Sequence, residues 1–595
     1  MHRTNELDEK KPDKFLHDQS TPSRNTSDDS HTQIEKVPRA SVEDHVVKNT
    51  RPTGIVRRFL WGFTCDHSTT VYSLDGKPLK TEGALQKNLK PRHLKMIAIS
   101  GCVGTGLFVA SGKALEAGGP ASLLIAFMVI GFMLHLTMHS LGEITALYPV
   151  AGSFAAYSTR FIDPAWGFAM GWNYSIQWLT VLPLEIIAAS VTVNFWDSDK
   201  TKHLIFVSVF LVAIIAINLF GAAGFGEAEF IFGSIKVAAV VGFIIFGIIS
   251  DCGGVPGHGY LGGTYWRDPG AFHNGFKGLS SVLVCAAFSF AGTELVGLTA
   301  AECENPSKEL PKAIKQIFWR ILIFYITSLI LIGLLVPYSD SHLLRSGNAD
   351  SMASPFVIAI ERAGVSVFPS IMNAVIFVAL ISVGNSSVYG SSRTLSGLAH
   401  DGQAPKILGY IDRNGRPIFS MLVASVFGLL CYIVNLKSQA TVLEWMLSLS
   451  GLSSVLTWGS ICLAHIRFRL AWTSQGNSLE DLPYQSPYGI WGSSLALFIN
   501  FLVIAAQFWI GGWPVGYRDP KQQAETFFKA FLCILIIATF YISFKIWKKT
   551  KIVGINAIDL DSDRRNIIDP REARKQLKLE RESMSKPKLI LSYLF

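Results

Sequence analysis

The stretch SGCVGTGLF, residues 100–108, interrupts an apolar segment that spans residues 94–117. The segment is long enough to cross a bilayer, because about 20 helical residues span the hydrocarbon core. Three glycines within six residues, Gly101, Gly104 and Gly106, lower the helix propensity of its middle. We therefore predict a helix broken near the membrane midplane, where freed amides face a cavity and favour a carboxylate.

The same glycines could instead serve close packing of two helices, as small residues do in membrane bundles. Alone, the first break fits both interpretations. A second break favours binding, because the stretch FSFAGTE, residues 288–294, interrupts the sixth apolar segment, 279–302. Glycine-interrupted helices at matching positions of two halves indicate an inverted-repeat transporter whose substrate lies between the breaks.

The composition indicates a polytopic membrane protein. Of the 595 residues, 49% are hydrophobic and 16% are charged, whereas a soluble domain carries about a quarter charged residues. The formal net charge of +9 arises from basic residues in the termini and inner loops, in the sense of the positive-inside rule. Nucleic acid is therefore not expected as a partner.

The sequence indicates neither a metal or cofactor site nor an enzyme. The eight cysteines form no C-x-x-C pair and no zinc spacing. No paired nucleophile and base and no phosphate-binding loop is apparent. His135 and His139 have the i, i+4 spacing of two metal ligands but lack a further ligand. We expect these histidines to form hydrogen bonds between helices.

Twelve apolar segments predict an all-α fold with twelve transmembrane helices. Lys and Arg are more frequent in the loops on one side, which places both termini in the cytosol. The segments are residues 94–117, 119–146, 164–195, 203–220, 229–250, 279–302, 317–337, 369–398, 418–435, 441–466, 490–512 and 525–547.

The apolar segments also divide the chain. We predict a disordered cytosolic N-terminal tail, 1–90, a transmembrane domain, 91–549, and a cytosolic C-terminal tail, 550–595. Exposed lysines of the N-terminal tail could accept ubiquitin from a ligase, or the tail could simply be solvated. The candidate acceptors are Lys10, Lys11 and Lys14.

Charged residues inside the spans are candidate coupling groups, because a charge in lipid is costly. Lys236 lies a third of the way into the fifth span, where a desolvated lysine could shed a proton. We therefore predict that it couples transport to protons; the alternative is a permanently paired lysine that locks helix packing. Glu185 and Glu294 could belong to a proton path, contact a substrate amine, form a gate or pair with Lys236.

Two further groups of polar residues lie in the spans. Ser382 and Asn385, with the two serines that follow, form a cluster in the eighth span. They could bind a cation, line a water path or hydrogen-bond between helices, and we predict that they line a polar cavity. Glu143 and Glu302 lie near the inner ends of their helices, where packing, gating or a salt bridge is expected.

The ordered motifs resemble those of the fungal amino acid permeases, within the amino acid–polyamine–organocation superfamily, over roughly residues 92–549. Residues 177–185 look most similar to the general, broad-specificity branch. The motifs are GCVGTGLF (101–108), LGE (141–143), YPVAGSF (148–154), GWNY (171–174), LPLE (182–185), FGEAEF (225–230), IKV (235–237), FSFAGTELVG (288–297), ECENP (302–306), SRTL (392–395), APK (404–406) and DLDSDRR (559–565).

The resemblance implies a secondary active transporter with a five-plus-five inverted-repeat core of the leucine-transporter type. The repeats would cover about 94–250 and 279–466, with two additional C-terminal helices at about 490–547. Such a protein imports L-amino acids with protons, by alternating access, in the lipid of the plasma membrane. The alternative is an amino acid sensor of the same fold that scarcely transports.

The resemblance also implies roles for residues of the two breaks. Gly104, Thr105 and Gly106 would bind the substrate carboxylate. Carbonyl groups at the second break would bind the ammonium, with Phe290 as a possible aromatic gate. The carbonyl groups implied are those of Phe288, Ser289 and Ala291. Lys236 matches the fifth-helix lysine with which related bacterial transporters sense protons.

Overall fold

The computed structural model describes residues 71–72, 78–79, 85–101, 103–197, 199, 202–255, 259–303, 305–344, 354–435, 439–514 and 520–564. All of them belong to the compact unit Gly54–Phe595. The candidate ubiquitin acceptors Lys10, Lys11 and Lys14 lie outside the described residues. The predicted limits of the two tails stay predictions.

The described chain is helical almost throughout. Two short strands, β1 (Val71–Tyr72) and β2 (Pro78–Leu79), pair antiparallel. Short π-helical turns, Gly106–Ala110 and Ile321–Thr327, precede α2 and α10 in the following list. The helices are α1 Pro91–Ser100, α2 Ser111–Leu147, α3 Phe154–Phe161, α4 Pro164–Thr192, α5 His203–Asn218, α6 Gly221–Asp251, α7 Gly275–Phe290, α8 Leu295–Thr299, α9 Pro306–Arg320, α10 Ser328–Leu335, α11 Ser341–Leu344, α12 Pro355–Arg362, α13 Phe368–His400, α14 Ile418–Gly428, α15 Gln439–Ser474, α16 Gly489–Gly512 and α17 Pro520–Lys548.

Nine helices among the described residues are long and apolar enough to cross a membrane. Two further apolar helices, His203–Asn218 and Ile418–Ile433, are shorter. The predicted all-α, multi-pass membrane fold is therefore confirmed. The predicted count of twelve spans stays a prediction, because the helical stretch Gly106–Leu147 holds parts of two predicted segments.

Gly119 introduces a kink that divides α2 into two helical segments. Its φ of 77° lies in the left-handed region, which glycine adopts without strain. Pro120 begins the second helical segment. Proline is tolerated there because the first amides of a helix have no partner within that helix. The Ala121 amide instead donates to the Ala271 carbonyl at 2.9 Å. This turn separates the first two predicted spans.

The centre of the bundle is formed by α4 and α13, which pack along each other more extensively than any other described pair. α4 begins sharply, because Asp163 accepts a hydrogen bond from the Ala165 amide at 2.9 Å and Pro164 occupies the first helical position. Glycine permits the close approach of the two helices. A β-carbon on Gly171 would lie 2.5 Å from Cδ2 of Leu398.

The helices α6, α16 and α17 lie on the outside of the bundle. Many of their apolar side chains are exposed, among them Ile245, Trp491 and Phe501, whereas α4 and α13 are largely buried. Apolar surface of this extent indicates contact with lipid. The two predicted additional C-terminal helices correspond to α16 and α17, and they enlarge the bundle at its edge.

Both ends of the described bundle meet one side of it, which we call the terminal face. The Leu89 amide donates to the Glu302 carbonyl at 3.1 Å, and the Val553 amide donates to the Ile162 carbonyl at 3.0 Å. Leu560 is buried. Residues 550–564, which the sequence assigned to the C-terminal tail, therefore pack on the bundle.

The end of α13 lies near both of these hydrogen bonds, the one at Glu302 and the one at Val553. Arg393 pairs with the Glu302 carboxylate at 3.3 Å. Just beyond the helix, Asp401 lines a cavity of about 680 Å³ together with Arg160 and Val553. Burial in this cavity raises the pKa of Asp401 to about 6. The start of the bundle and the segment after α17 thus share one polar side.

We predict that Gly119→Ala lowers the stability of the protein by about 1–3 kcal/mol, because a left-handed non-glycine residue is strained and its β-carbon would lie 2.9 Å from the Ala271 carbonyl oxygen. Thermal unfolding of the purified protein in detergent measures the effect. Gly242→Ala is the matched control, since a β-carbon there meets nothing within 4 Å. Equal unfolding temperatures for Gly119→Ala and wild type would contradict the prediction.

Candidate functional site

The structure contains both predicted breaks. α1 ends at Ser100, and the helix resumes at the π-helical turn Gly106–Ala110. α7 ends at Phe290, where Ala291 (ψ 141°) and Gly292 (φ 94°) turn the chain before α8. Each break therefore exposes peptide groups that a continuous helix would pair internally.

The two breaks lie against each other. A β-carbon on Gly106 would lie 2.3 Å from Cα of Ser289, and one on Gly104 would lie 2.4 Å from Cγ2 of Val383. Both distances are far below van der Waals contact. A residue larger than glycine at either position would therefore displace its neighbour. The glycines thus do serve close packing, Gly104 against α13 and Gly106 against the second break, and the contact of Gly106 brings the peptide groups of the two breaks together.

The first break presents backbone amides. The first amides of a helix have no acceptor within that helix. Among the hydrogen bonds between described backbone groups outside the regular helices, none is donated by Gly104, Thr105 or Gly106. The positive end of the helix dipole lies at the same place. This arrangement suits an anionic group such as a carboxylate.

The second break presents carbonyl groups, and they differ in how they are engaged. The Phe288 carbonyl accepts from the Ala291 amide at 3.1 Å, which leaves one lone pair. The Ser289 carbonyl accepts from the hydroxyl of Tyr325 at 2.9 Å. Phe288 and Ala291 line the cavity described next, whereas Ser289 packs behind it against Gly106.

A small cavity lies between the breaks. Its volume is about 20 Å³, which is room for about one water but not for an amino acid. Binding of a larger molecule therefore requires that the surrounding helices move. The lining residues are Gly104, Thr105, Gly106, Gln177, Trp178, Val181, Glu185, Phe288, Ala291, Val383 and Ser450.

Glu185 is the charged residue of this lining. It lies on α4, is buried, and accepts a hydrogen bond from Thr105 Oγ1 at 2.5 Å. The bond ties the first break to the central helix α4. Because Glu185 also borders the cavity, its carboxyl group lies next to any group bound there.

Two aromatic side chains of the second break occupy different places. Phe288 borders the cavity. Phe290, the predicted gate, is buried outside this lining, and its ring centroid lies 4.4 Å from that of Tyr325 and 5.7 Å from that of Phe127. The aromatic residues that face the cavity are therefore Phe288 and, from α4, Trp178.

Lys236 is buried next to the first break. Its Nζ donates to the Ser100 carbonyl, at the end of α1, at 2.8 Å and to Ser382 Oγ at 2.9 Å. Ser382 Oγ in turn donates to Oε2 of Glu229 at 2.8 Å, and Asn385 Nδ2 donates to Oε1 at 3.1 Å. Ser382 and Asn385 of the predicted polar cluster thus lie in a hydrogen-bonded network with Lys236 and Glu229, and neither lines the cavity.

Glu294 stabilises the second break itself. Its Oε1 accepts from the Gly292 amide at 3.2 Å, and its Oε2 accepts from Trp458 Nε1 at 3.0 Å. The carboxylate is fully buried. These contacts fix the backbone turn after Ala291, which makes Glu294 a positioning residue for the site.

Several residues of the site escaped sequence reasoning. Gln177, Trp178, Val181, Val383 and Ser450 line the cavity but lie on helices without any break. Residues 177–185 carry part of the family resemblance, but the apolar or neutral character of these side chains does not by itself indicate a binding site. Glu229 could have been noticed, since it is a second charged residue in the span of Lys236.

A buried arginine joins the two broken helices on the side of the terminal face. Arg320, at the end of α9, donates to the Ala98 carbonyl of α1 at 2.6 Å and to Thr293 Oγ1 at 2.7 Å. Its side chain is almost fully buried. These contacts hold α1 against the second break.

The two histidines of α2 bind tyrosines near the start of α16. His135 Nε2 lies 3.1 Å from the hydroxyl of Tyr488, and His139 hydrogen-bonds the hydroxyl of Tyr484. We expected hydrogen bonds between helices; the histidines instead bind tyrosines of the segment just before α16. Within the described residues, no group of three or more potential ligands is placed to hold a metal ion.

Solved structures give a first comparison. A crystal structure of the manganese transporter of Eremococcus coleocola superimposes with a TM-score of 0.49 and 12% sequence identity, covering 77% of this chain and 94% of that chain. A second crystal structure, of a mutant of the same transporter, gives the same TM-score with 13% identity over 77% of this chain and 93% of that chain.

Sequence relatives are much closer. The general amino-acid permease GAP2 of Candida albicans is 54% identical over 80% of this chain and 81% of its own length. The general amino-acid permease GAP1 of Saccharomyces cerevisiae is 50% identical, covering 81% of each chain. The cationic amino acid transporter 1 of Schizosaccharomyces pombe is 47% identical over 82% of this chain and 83% of its own length.

The profile of the amino acid permease family matches residues 93–556, which include both breaks and the cavity between them. Permeases of this kind are transporters rather than enzymes, as the sequence predicted. The protein therefore belongs to the amino acid permease family.

Proposed function

We propose that the protein imports L-amino acids of several side-chain types with protons, by alternating access. The cavity between the breaks carries this proposal. Its lining includes Gly104, Thr105 and Gly106 of the first break and Phe288 and Ala291 of the second, and we infer that it is bordered by amides of the former and carbonyls of the latter. Amides favour a carboxylate and carbonyls favour an ammonium, so the two poles match the zwitterionic end that all α-amino acids share.

Backbone groups at both poles explain broad selectivity. They contact only the shared end of the substrate, and the side chain meets the remaining wall, which includes Trp178, Val181 and Ser450. Two relatives, at 54% and 50% identity, carry the name general amino-acid permease. A largely apolar and neutral wall, in which the ionisable Glu185 already accepts a hydrogen bond from Thr105, is consistent with that name.

The small size of the cavity supports the proposal of alternating access. About 20 Å³ does not admit an amino acid, and Arg320 ties α1 to the second break on the terminal face. We propose that release of this contact lets α1 swing away and opens the cavity to that face. A movement of the broken helices at their ends away from the terminal face would open the cavity to the other side of the membrane.

We further propose that the terminal face is cytosolic and that the protein resides in the plasma membrane lipid. Arg160, Arg467 and Lys545 lie on this face and contact its loops, in keeping with the positive-inside rule. Lys10, Lys11 and Lys14 would then be accessible to a cytosolic ubiquitin ligase. The predicted five-plus-five repeat accounts for the matched breaks in α1 and α7.

Uptake of radiolabelled amino acids by cells that lack their own permeases tests the function. We expect saturable, concentrative uptake that several unlabelled L-amino acids inhibit. N-acetylated amino acids and amino acid amides should compete at least about tenfold less well, because each lacks one of the two charges. Equal competition by these derivatives would contradict the two-pole site. Binding without accumulation would favour the sensor instead.

We predict that Gly106→Ala reduces uptake by about a hundredfold, because its β-carbon pushes the two breaks apart and a displacement of about 1 Å in a site can cost that much. Initial uptake rates are divided by the abundance of each variant at the cell surface. Gly459→Ala is the control, since its β-carbon would meet its nearest neighbour at an ordinary 3.7 Å. Normal uptake by Gly106→Ala would show that the packing of the breaks is not required.

We predict that Lys236→Met abolishes accumulation driven by an acidic exterior but reduces exchange of internal for external substrate much less. The substitution removes the titratable amine that contacts the Ser100 carbonyl and keeps an apolar chain of similar length. Accumulation and exchange are measured in the same cells at acidic and neutral external pH. Accumulation with the wild-type dependence on pH would rule out Lys236 as the coupling group.

A further inference from the structure

The carboxylate of Glu229 has no part in the function described so far. It lies on α6, seven residues before Lys236, and is fully buried. A buried carboxylate is costly unless it is hydrogen-bonded and paired with a cation. Ser382 and Asn385 each donate one hydrogen bond to it, at 2.8 and 3.1 Å. Such a set of donors indicates a site that holds negative charge inside the membrane.

A single hydroxyl joins Glu229 to Lys236. Lys236 Nζ donates to Ser382 Oγ at 2.9 Å, and the same Oγ donates its own proton to Glu229. A hydroxyl can accept one proton and give up another at the same time. An ammonium, a hydroxyl and a carboxylate in this order therefore form a complete path for one proton.

The path has a direction in the molecule. Seven residues of helix correspond to about 10 Å along the axis of α6. The first turns of α6 lie at the terminal face, because Glu227 there binds Arg92 at the start of α1. Lys236, at the other end of the path, contacts the Ser100 carbonyl beside the first break. The path thus runs from the first break towards the terminal face.

Other charged groups near the path come from several helices. Arg92 and His93 of α1 face α6 and bind Glu227. α4 contributes Glu185, which is held by Thr105. The side chains that face Glu229 from α5 and α13 are neutral, with Asn218 Nδ2 donating to Asn385 Oδ1 at 2.8 Å. Glu185 also interacts electrostatically with Lys236, but Glu229 is the carboxyl group that hydrogen bonds join to Lys236 through Ser382.

We propose that Glu229 is a second proton-binding group of the transport cycle, which receives the proton of Lys236 through Ser382. The inference rests on the proposed proton coupling at Lys236. When α1 moves and the Ser100 carbonyl leaves Nζ, one N–H bond of Lys236 breaks and Ser382 Oγ takes the proton. Ser382 passes its original proton to Oε2 of Glu229, where an O–H bond forms.

This transfer leaves a neutral amine and a neutral carboxylic acid, so the net charge of the network is unchanged and no buried charge loses its counter-charge. Glu229 then releases the proton towards the terminal face, and its negative charge draws the next proton onto Lys236 from the opposite side. The relay explains why a carboxylate is retained in a span that already contains a lysine.

The first test compares Glu229→Gln with wild type. The amide keeps the size of the side chain but cannot be ionised. Three quantities are measured in the same cells: substrate-induced proton influx with an intracellular pH indicator, accumulation at acidic external pH, and exchange of internal for external substrate. We expect proton influx and accumulation to fall at least about tenfold, as for loss of one proton-transfer group, while exchange falls much less.

The second test acts on the bridge and does not require that Glu229→Gln fold. Ser382→Ala removes the hydroxyl that passes the proton, whereas Ser382→Thr keeps it. The relay predicts that proton influx per transported substrate is lost in the alanine variant and largely retained in the threonine variant. Ser391→Ala is the control on the same helix, since that buried hydroxyl bonds to the Ser387 carbonyl of its own helix; it should match wild type.

The outcomes separate the inference from the proposed function. If Lys236→Met loses proton influx but Ser382→Ala and Glu229→Gln keep it with the wild-type dependence on pH, the relay is wrong and coupling at Lys236 stands. If Lys236→Met also keeps proton influx, coupling at Lys236 is wrong and the relay falls with it. If Ser382→Ala and Ser382→Thr lower influx and exchange equally, the serine is structural and the relay is overturned.

Discussion

The site of this protein depends on the contact between Gly106 of the first break and Ser289 of the second. Inside a bilayer no bulk water satisfies a freed amide or carbonyl, so an interrupted helix is tolerated only where protein or a bound molecule takes over its hydrogen bonds. A glycine with no room for a β-carbon brings the two interruptions to backbone distance. Donors from one break and acceptors from the other then border the same small space.

Three sets of hydrogen bonds from the surrounding helices stabilise this contact. Thr105 of the first break binds Glu185 on α4, and Glu294 holds the turn of the second break together with Trp458. On the terminal face, Arg320 bridges the two broken helices. Each of these is a polar contact in a dry interior, where a lost partner costs more than in water. These contacts therefore stabilise the closed arrangement, and the opening that we propose would have to break several of them.

Sequence reasoning was weaker wherever the rotation of a helix decides the neighbours. Phe288 and Phe290 are two residues apart on one helix, and only packing shows that Phe288 faces the cavity while Phe290 stacks on Tyr325. In the same way, Ser382 and Asn385 were expected along a cavity, yet they face Glu229. In a nearly uniform apolar span the hydrophobic pattern does not mark an inner face, because both lipid and the bundle core are apolar.

The amino-acid sequence by itself determined the membrane fold, the family and the points at which the chain departs from regular helix. Both breaks occur where the glycines predicted them, and Lys236, singled out because a charge in lipid is costly, does lie against the first break. Helix propensity and charge are local properties, which a single sequence displays. The tertiary structure decided which freed groups meet and that a hydroxyl links Lys236 to Glu229. Those relations arise from the angles at which helices cross and turn about their axes, which no local pattern encodes.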